Sequence, residues 1–148
     1  MESMDLSLLV PIFTGVSVFV LGQFLLKLVL EPAVELKKTI GTISALFLRE
    51  QPSIISANAT EEVAQEMQRL ASELIACRQA IPGYRFWSVV LGLPKYNNIL
   101  KASGSLNLLS ALAYQPGESK IRNSHLEVSK SMKSLESNLN AIVSYQRA

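Results

Sequence analysis

Two polar residues, Gln23 and Lys27, lie one helical turn apart in an otherwise apolar N-terminal segment. From Leu6 to Leu26 the chain carries no formal charge, and a segment of this length is sufficient to cross the hydrocarbon core of a bilayer as a helix. An amide and an ammonium group at this depth usually face protein or water, because contact with lipid is unfavourable. Repeated around the axis of an oligomer, these side chains would form polar rings at the mouth of a pore.

A second interpretation of Lys27 remains open. Its long side chain can extend to the lipid headgroups, where Glu31, four residues further on, can pair with it. In that case the segment is an anchor and Lys27 marks only the edge of the bilayer.

Small residues in the same segment predict close helix contacts. Pro11, Gly15, Val18 and Gly22 follow one another at i, i+4, i+7 and i+11, which gives a narrow face that permits close approach of another helix. One span per chain cannot enclose a conduit, so a pore requires several copies. We predict a homo-oligomer, with a tetramer favoured, whose pore-lining residues are Gly15, Gly22, Gln23 and Lys27.

The basic residues predict orientation. None precedes the span, whereas Lys27, Lys37, Lys38 and Arg49 follow it, so the positive-inside rule places the N terminus outside and the remainder in the cytoplasm. The single Cys77 cannot form an internal disulfide, which agrees with a reducing compartment. We therefore predict a single transmembrane helix in residues 1–30 and a cytoplasmic helical domain in residues 31–148.

Local basic clusters, rather than the formal net charge of +2, would bind any polyanion. Lys38 lies eleven residues beyond Lys27, which is about three helical turns and nearly the same face. In a symmetric oligomer each such residue becomes a ring that suits a phosphate-bearing ligand. The predicted ligand-binding residues are Lys38, Arg85, Lys95 and Lys101, although each of them can instead be solvated or contact headgroups.

The sequence offers little for enzymatic chemistry. With one histidine and one cysteine it has no metal-ligand cluster of recognisable spacing, and the phosphate-loop, dinucleotide and nucleophile-elbow motifs are missing from the sequence. Cys77 occupies an apolar helix position and is expected to be a buried, unreactive thiol. We predict a protein that is not an enzyme and that uses neither a metal nor a cofactor.

The cytoplasmic part is predicted to be all-α. The first helix should continue past a kink at Pro32 and end around Glu50, before Pro52. A second helix should begin at Asn58, with Glu61 completing a capping box, and end at Pro82-Gly83. The segment YRFWSVVLGLP either packs as core or lies in the membrane interface, with Arg85 and Lys95 reaching phosphates. A further helix follows, with inward positions Ile99, Leu106, Leu109, Leu112 and Ala113.

The last helix carries a heptad-like seam. The spacing alternates in steps of four and three and favours packing within one subunit, with pairing between subunits as the alternative. The residues of this seam are Ile121, His125, Val128, Met132, Leu135, Leu139 and Ile142.

Four strings carry a resemblance to a known group: GQFLLKLVLEPAVELKKTIGTIS, IPGY, GLPK and KASGSLNLLSAL. They resemble strings found in small bacterial single-span membrane proteins. Proteins of that group in turn resemble the membrane effector of the Hailong antiphage defence system. The resemblance implies an oligomeric channel in the bacterial inner membrane. It also implies a cytoplasmic domain that binds a DNA oligomer made by a partner nucleotidyltransferase, which holds the channel shut. A CRISPR-associated single-span protein that forms a ring is a neighbouring possibility. The alternative function is a membrane-anchored helical adaptor that docks a cytoplasmic protein.

Overall fold

The computed structural model describes residues 6–114 and 124–144, and every regular element within them is helical. A long first helix consists of α1 (Leu6–Leu25), a π-helical turn (Leu26–Leu30) and α2 (Glu31–Ile55). The remaining helices are α3 (Glu61–Ala80), α4 (Tyr84–Val90), α5 (Tyr96–Ala113) and α6 (Ser124–Leu139). The all-α prediction is confirmed for the described residues.

Helices α2, α3, α5 and α6 form an antiparallel bundle. Each packs against its sequence neighbour, and α6 returns to α2. Buried polar contacts fix the pairings: the Ser103 hydroxyl donates to the Ala71 carbonyl at 3.0 Å, and Ser105 donates to Ser134 at 3.3 Å. The core contains these almost fully buried side chains: Leu36, Ile43, Phe47, Ile54, Met67, Leu70, Leu74, Ile99, Leu106, Leu109, Val128 and Leu135.

The first helix changes character at Val29. From Leu9 to Leu28 no side chain is buried, whereas Val29 is buried and α2 contributes buried side chains from Ala33 to Ile54. This helix is long and apolar enough to cross a membrane. Among the described side chains of this helix, burial therefore begins at Val29, within the π turn.

The distortion predicted at Pro32 takes the form of the π turn. Pro32 has no N–H to donate to the preceding turn, and just before it the backbone N–H of Glu31 donates to the Leu26 carbonyl, five residues back. One extra residue in this turn displaces the following residues by up to about 100° around the axis. The predicted alignment of Lys38 with Lys27 assumed unbroken α-helical periodicity, which does not hold across this turn.

Two helix boundaries were wrongly predicted. Helix α2 continues through Pro52 to Ile55, because Ile54 is completely buried and Pro52 is exposed, so core packing outweighs the local effect of proline. Helix α3 is capped by Thr60 rather than Asn58: the Thr60 hydroxyl accepts from the Val63 N–H at 3.4 Å. The Ala59 N–H instead donates to the Ala113 carbonyl, which ties the start of α3 to the end of α5.

The seam of α6 packs within its own chain, as favoured. Val128, Met132, Leu135 and Leu139 are buried, but Ile142 is exposed, because the helix ends at Leu139 and Asn140 adopts a positive φ of 51°. This turn brings Val143 into the core in place of Ile142. Ile121 and the side chain of His125 lie outside the described residues.

Candidate pore face and anion-binding grooves

Gln23 at the end of α1 and Lys27 in the π turn form a polar strip on the first helix. They line one shallow groove together with Phe19, Phe24 and Leu28, and all five side chains are exposed in the single chain. The strip is therefore framed by apolar and aromatic groups. A hydrogen-bonding amide and a cation in such surroundings require a polar partner or water.

Gly15 and Gly22 lie on a neighbouring face of the same helix. Seven residues separate them, so they nearly align, whereas Gln23 is rotated from Gly22 by about 100°. A Cβ atom added to either glycine would meet nothing within 4 Å in the single chain. The four predicted pore-lining residues thus form two adjacent surfaces, one smooth enough for close helix contact and one polar.

Lys27 also lies at the junction of the span with the bundle. A second groove, of about 530 Å³, is lined by Lys27, Leu28, Glu31 and Glu35 of the first helix and by the last turns of α3. Among the ion pairs of the described residues, none joins Lys27 to Glu31. Lys27 is thus exposed beside two carboxylates without a direct partner.

Three of the four predicted ligand-binding residues come together. Arg85, Lys95 and Lys101 line a groove of about 390 Å³ with Tyr96, Asn98 and other residues of the α4–α5 corner. Lys38 lies elsewhere: it is exposed on α2, and its ammonium lies 3.4 Å from a Glu35 carboxylate oxygen. A solvent-exposed pair of this kind stabilises the fold little.

The corner that carries this groove is held by specific contacts. Gly83 precedes α4 with φ of 65°, in the left-handed region that favours glycine. The Tyr84 hydroxyl donates to the Pro94 carbonyl at 2.6 Å, across the loop between α4 and α5. Burial raises the pKa of this phenol to about 12, although the Arg78 cation lowers it in part. The Arg78 guanidinium lies 3.6 Å from the centre of the Tyr96 ring.

Another groove, next to the one lined by Arg85, Lys95 and Lys101, extends the basic surface. It has a volume of about 500 Å³ and is lined by Lys37 and Ile40 of α2, by the loop before α5, and by residues 137–140 at the end of α6. Lys95 and Asn98 belong to both grooves, so the two are continuous. Lys37 was not predicted as a site residue, because it meets Lys95 only where α2, the loop before α5 and the end of α6 come together in the bundle.

The electrostatic character of this surface follows from the sequence. Neither groove has an acidic lining residue among those described, and no acidic residue occurs between Glu73 and Glu118. The exposed Asn97 and the partly exposed Asn98 add amide hydrogen-bond donors, whereas the Asn138 amide already donates to the Ser134 carbonyl at 2.7 Å. Cations and amides without nearby carboxylates suit the phosphates of an anionic ligand.

The acidic side chains of α3 form a separate network. Arg69 hydrogen-bonds to Glu66 at 2.8 Å and to Glu73 at 2.6 Å, and the bond from Arg69 lowers the pKa of Glu66. Thr39 donates to Glu73 at 3.1 Å, and its hydroxyl lies 3.9 Å from the Cys77 sulfur. Burial raises the pKa of the Cys77 thiol, which disfavours the reactive thiolate and agrees with an unreactive cysteine.

No group of three or more His, Cys, Asp or Glu residues that could hold a metal ion occurs in the part of the chain that the structure describes. Comparison with protein-family models, curated proteins and solved structures gives no match. The fold and its surfaces define a class of protein: a helical bundle with basic grooves, continuous with one helix long and apolar enough to cross a membrane.

Proposed function

We propose that the chain is a homo-oligomeric membrane effector of antiphage defence, a ligand-gated ion channel whose cytoplasmic domain binds a nucleic-acid-like oligomer. The observation that carries this proposal is the continuous helical segment from Leu6 to Ile55, which includes the π turn at residues 26–30. It presents Gln23 and Lys27 in the apolar half and Lys37 in a basic groove of the bundle. Ligand contacts at Lys37 are therefore linked to the span through a single stiff element.

The surface of α1 supports assembly into a pore. The open face at Gly15 and Gly22 allows close approach of a second span, and the adjacent polar strip then avoids lipid by facing the axis. Four copies are favoured. The π turn at residues 26–30 contains Lys27 and adjoins the bundle, so a change in helix register within this turn would move Lys27.

The basic grooves support the ligand. Lys37, Arg85, Lys95 and Lys101 contribute positive charge to continuous grooves, and an oligomer would multiply this charge around its axis. The resemblance to the Hailong effector supplies the specific candidate, a single-stranded DNA oligomer from a partner nucleotidyltransferase. The protein would lie in the bacterial inner membrane with its N terminus outside and the bundle in the cytoplasm.

Replacement of the span tests the proposal. Residues 6–25 are exchanged for a polyleucine helix of equal length, and ion flux is measured from liposomes that contain either protein, with and without single-stranded DNA. The native chain should conduct in at least one ligand condition, and the exchanged chain should not. Absence of flux under every condition, together with a stable monomer in detergent, would contradict the proposal.

Ligand binding has its own test in the basic groove. Replacing Lys95 by Gln should weaken binding of single-stranded DNA and reduce the salt dependence of binding by about one unit of slope. Lys130→Gln, on an exposed part of α6, is the matched control and should leave binding unchanged. Equal binding by both variants would remove the groove from the ligand site.

A membrane-anchored adaptor is the second candidate. Leu100 and Leu108 are both close to half exposed on α5, eight residues apart, and could contact a cytoplasmic protein. An adaptor uses its span only as a tether, so the polyleucine exchange should preserve its function. The same experiment therefore separates the two candidates.

A further inference from the structure

Helix α4 exposes an apolar face that the bundle does not cover. Phe86, Val89 and Val90 are 65%, 83% and 58% exposed, and their spacing places them on one side of the helix. Tyr84 and Ser88 are buried, and Trp87 packs in part against the core. The helix is thus apolar on two sides. One side packs against the bundle and the other is exposed.

The position of α4 indicates what meets this face. Helices α2 and α3 are antiparallel, because Thr39 bonds to Glu73 whereas Arg49, later on α2, lies near Glu66, earlier on α3, so α3 runs back toward the start of α2. Its last turns line a groove with Lys27 and Leu28. Helix α4 begins four residues after α3 ends and so lies at the end of the bundle from which the apolar helix α1 leaves.

The charges around α4 favour an anionic surface. Arg85 belongs to α4 itself, while Lys95 and Lys101 lie across the shared groove. Exposed apolar side chains with basic neighbours are the pattern of helices that lie in the plane of a membrane interface. A second copy of the chain fits less well, because three side chains offer far less than the area of a stable dimer and a two-fold contact would oppose like charges.

We propose that α4 rests on the membrane, inserting Phe86, Val89 and Val90 among the headgroups of an anionic bilayer while Arg85 contacts lipid phosphates. The bundle then has two membrane contacts, the span and α4, which restrict its tilt. This proposal rests on α1 as the span and holds whether α1 lines a pore or is only a tether.

The sequence offers a direct probe, because Trp87 is its only tryptophan. In the double variant Phe86→Trp, Trp87→Phe, the single tryptophan moves to the exposed face. The full chain is placed in anionic bilayers containing lipids brominated near the headgroup, with no oligonucleotide present. The tryptophan at position 86 should fluoresce at a shorter wavelength than a water-exposed tryptophan, and the brominated lipid should strongly quench this fluorescence.

A matched control carries Leu126→Trp with Trp87→Phe. Leu126 is 75% exposed near the start of α6, at the end of the bundle remote from the span, and should be neither blue-shifted nor quenched. Adding Arg85→Gln to the Phe86→Trp, Trp87→Phe variant should reduce the quenching, and purely zwitterionic bilayers should reduce it as well.

Two results would overturn the proposal. Emission at the wavelength of a water-exposed tryptophan, without quenching, would show that α4 stays in solvent. Blue-shifted emission without quenching would show that protein, such as a second copy of the chain, covers the face. Near-identical circular dichroism spectra of all variants would show that the comparison is between folded proteins.

Discussion

The two halves of the first helix differ in whether their apolar side chains are exposed or buried. In α1 the side chains of Phe13, Phe19 and Phe24 are all exposed, whereas in α2 Phe47 is completely buried. The residue types are the same and the backbone is continuous through the π turn. The difference therefore lies in the surroundings: α2 is stabilised by the protein interior, and α1 needs an apolar medium or other copies of itself.

This contrast locates the edge of the bundle at Val29, the first buried residue among the side chains that the structure describes from Leu9 onward. It also separates two kinds of polar residue. Thr39 on the buried face of α2 finds a partner in Glu73, while Gln23 of α1 and Lys27 of the π turn lack one within the chain's described ion pairs and hydrogen bonds. These two groups in the exposed part of the first helix are those that assembly would satisfy.

The largest expected effect comes from truncating one phenylalanine in each half. Phe47→Ala should lower the free energy of unfolding of the bundle by about 3–5 kcal/mol, because it leaves a cavity in the core. Phe13, which is 79% exposed, is the matched control, and Phe13→Ala should leave the bundle unchanged. Thermal unfolding in detergent, followed by circular dichroism, gives both values. Similar losses for the two variants would abolish the distinction between the halves.

A second comparison uses glycines. Gly22→Leu should weaken association of the chains by about 1–3 kcal/mol per contact if the glycine face packs against another span, because added methylene groups overpack it. Gly41, exposed on α2 with open space around it, is the control, and Gly41→Leu should leave assembly intact. Mass measurements over a dilution series in detergent report the change. Unaltered assembly of Gly22→Leu would exclude this face from the contact.

A pH-dependent effect is expected only in the bundle. Tyr84→Phe removes the hydrogen bond to the Pro94 carbonyl and should cost about 0.5–1.5 kcal/mol near neutral pH. Burial raises the folded-state pKa of Tyr84 from 10.0 to about 12, so between these values the unfolded state binds fewer protons. The stabilisation is complete below pH 10 and is lost as the pH rises toward 12. Denaturant titrations of both proteins should converge over this range; a constant difference would contradict the buried hydroxyl.

The smallest expected effect concerns two threonines. Thr60→Ala removes the cap of α3 and should destabilise the bundle by about 0.5–1 kcal/mol, at the low end for caps because the bond is 3.4 Å long. Thr14 donates to the Val10 carbonyl within α1, and Thr14→Ala should leave the unfolding temperature of the bundle unchanged. A measurable drop for Thr14→Ala would mean that α1 contributes to bundle stability.

Helical periodicity predicted most of the fold. The predicted inward positions of α5 and most of the α6 seam are buried as expected, because burial of one face is imposed by the sequence pattern itself. The errors lie at helix ends, where contacts distant in sequence decide. Ile54 extends α2 past Pro52, Ala113 fixes the entry to α3, and Val143 replaces Ile142 after the turn at Asn140.

The candidate site was only partly predictable. Arg85, Lys95 and Lys101 lie within a short stretch of sequence, so their convergence follows from one tight corner. Lys37 joins them only through the closure of the bundle, which no local pattern reports. Pro32 predicted a distortion of the first helix at this point, but not that the distortion takes the form of a π turn.

The central claim is that α1 is a pore wall rather than a tether, and the mass of the complex in detergent tests it most directly. The account predicts a closed oligomer of the 16.3 kDa chain, with four copies favoured, that persists across mild detergents and on dilution. A chain that is monomeric in every detergent would contradict it, because one span cannot enclose a pore.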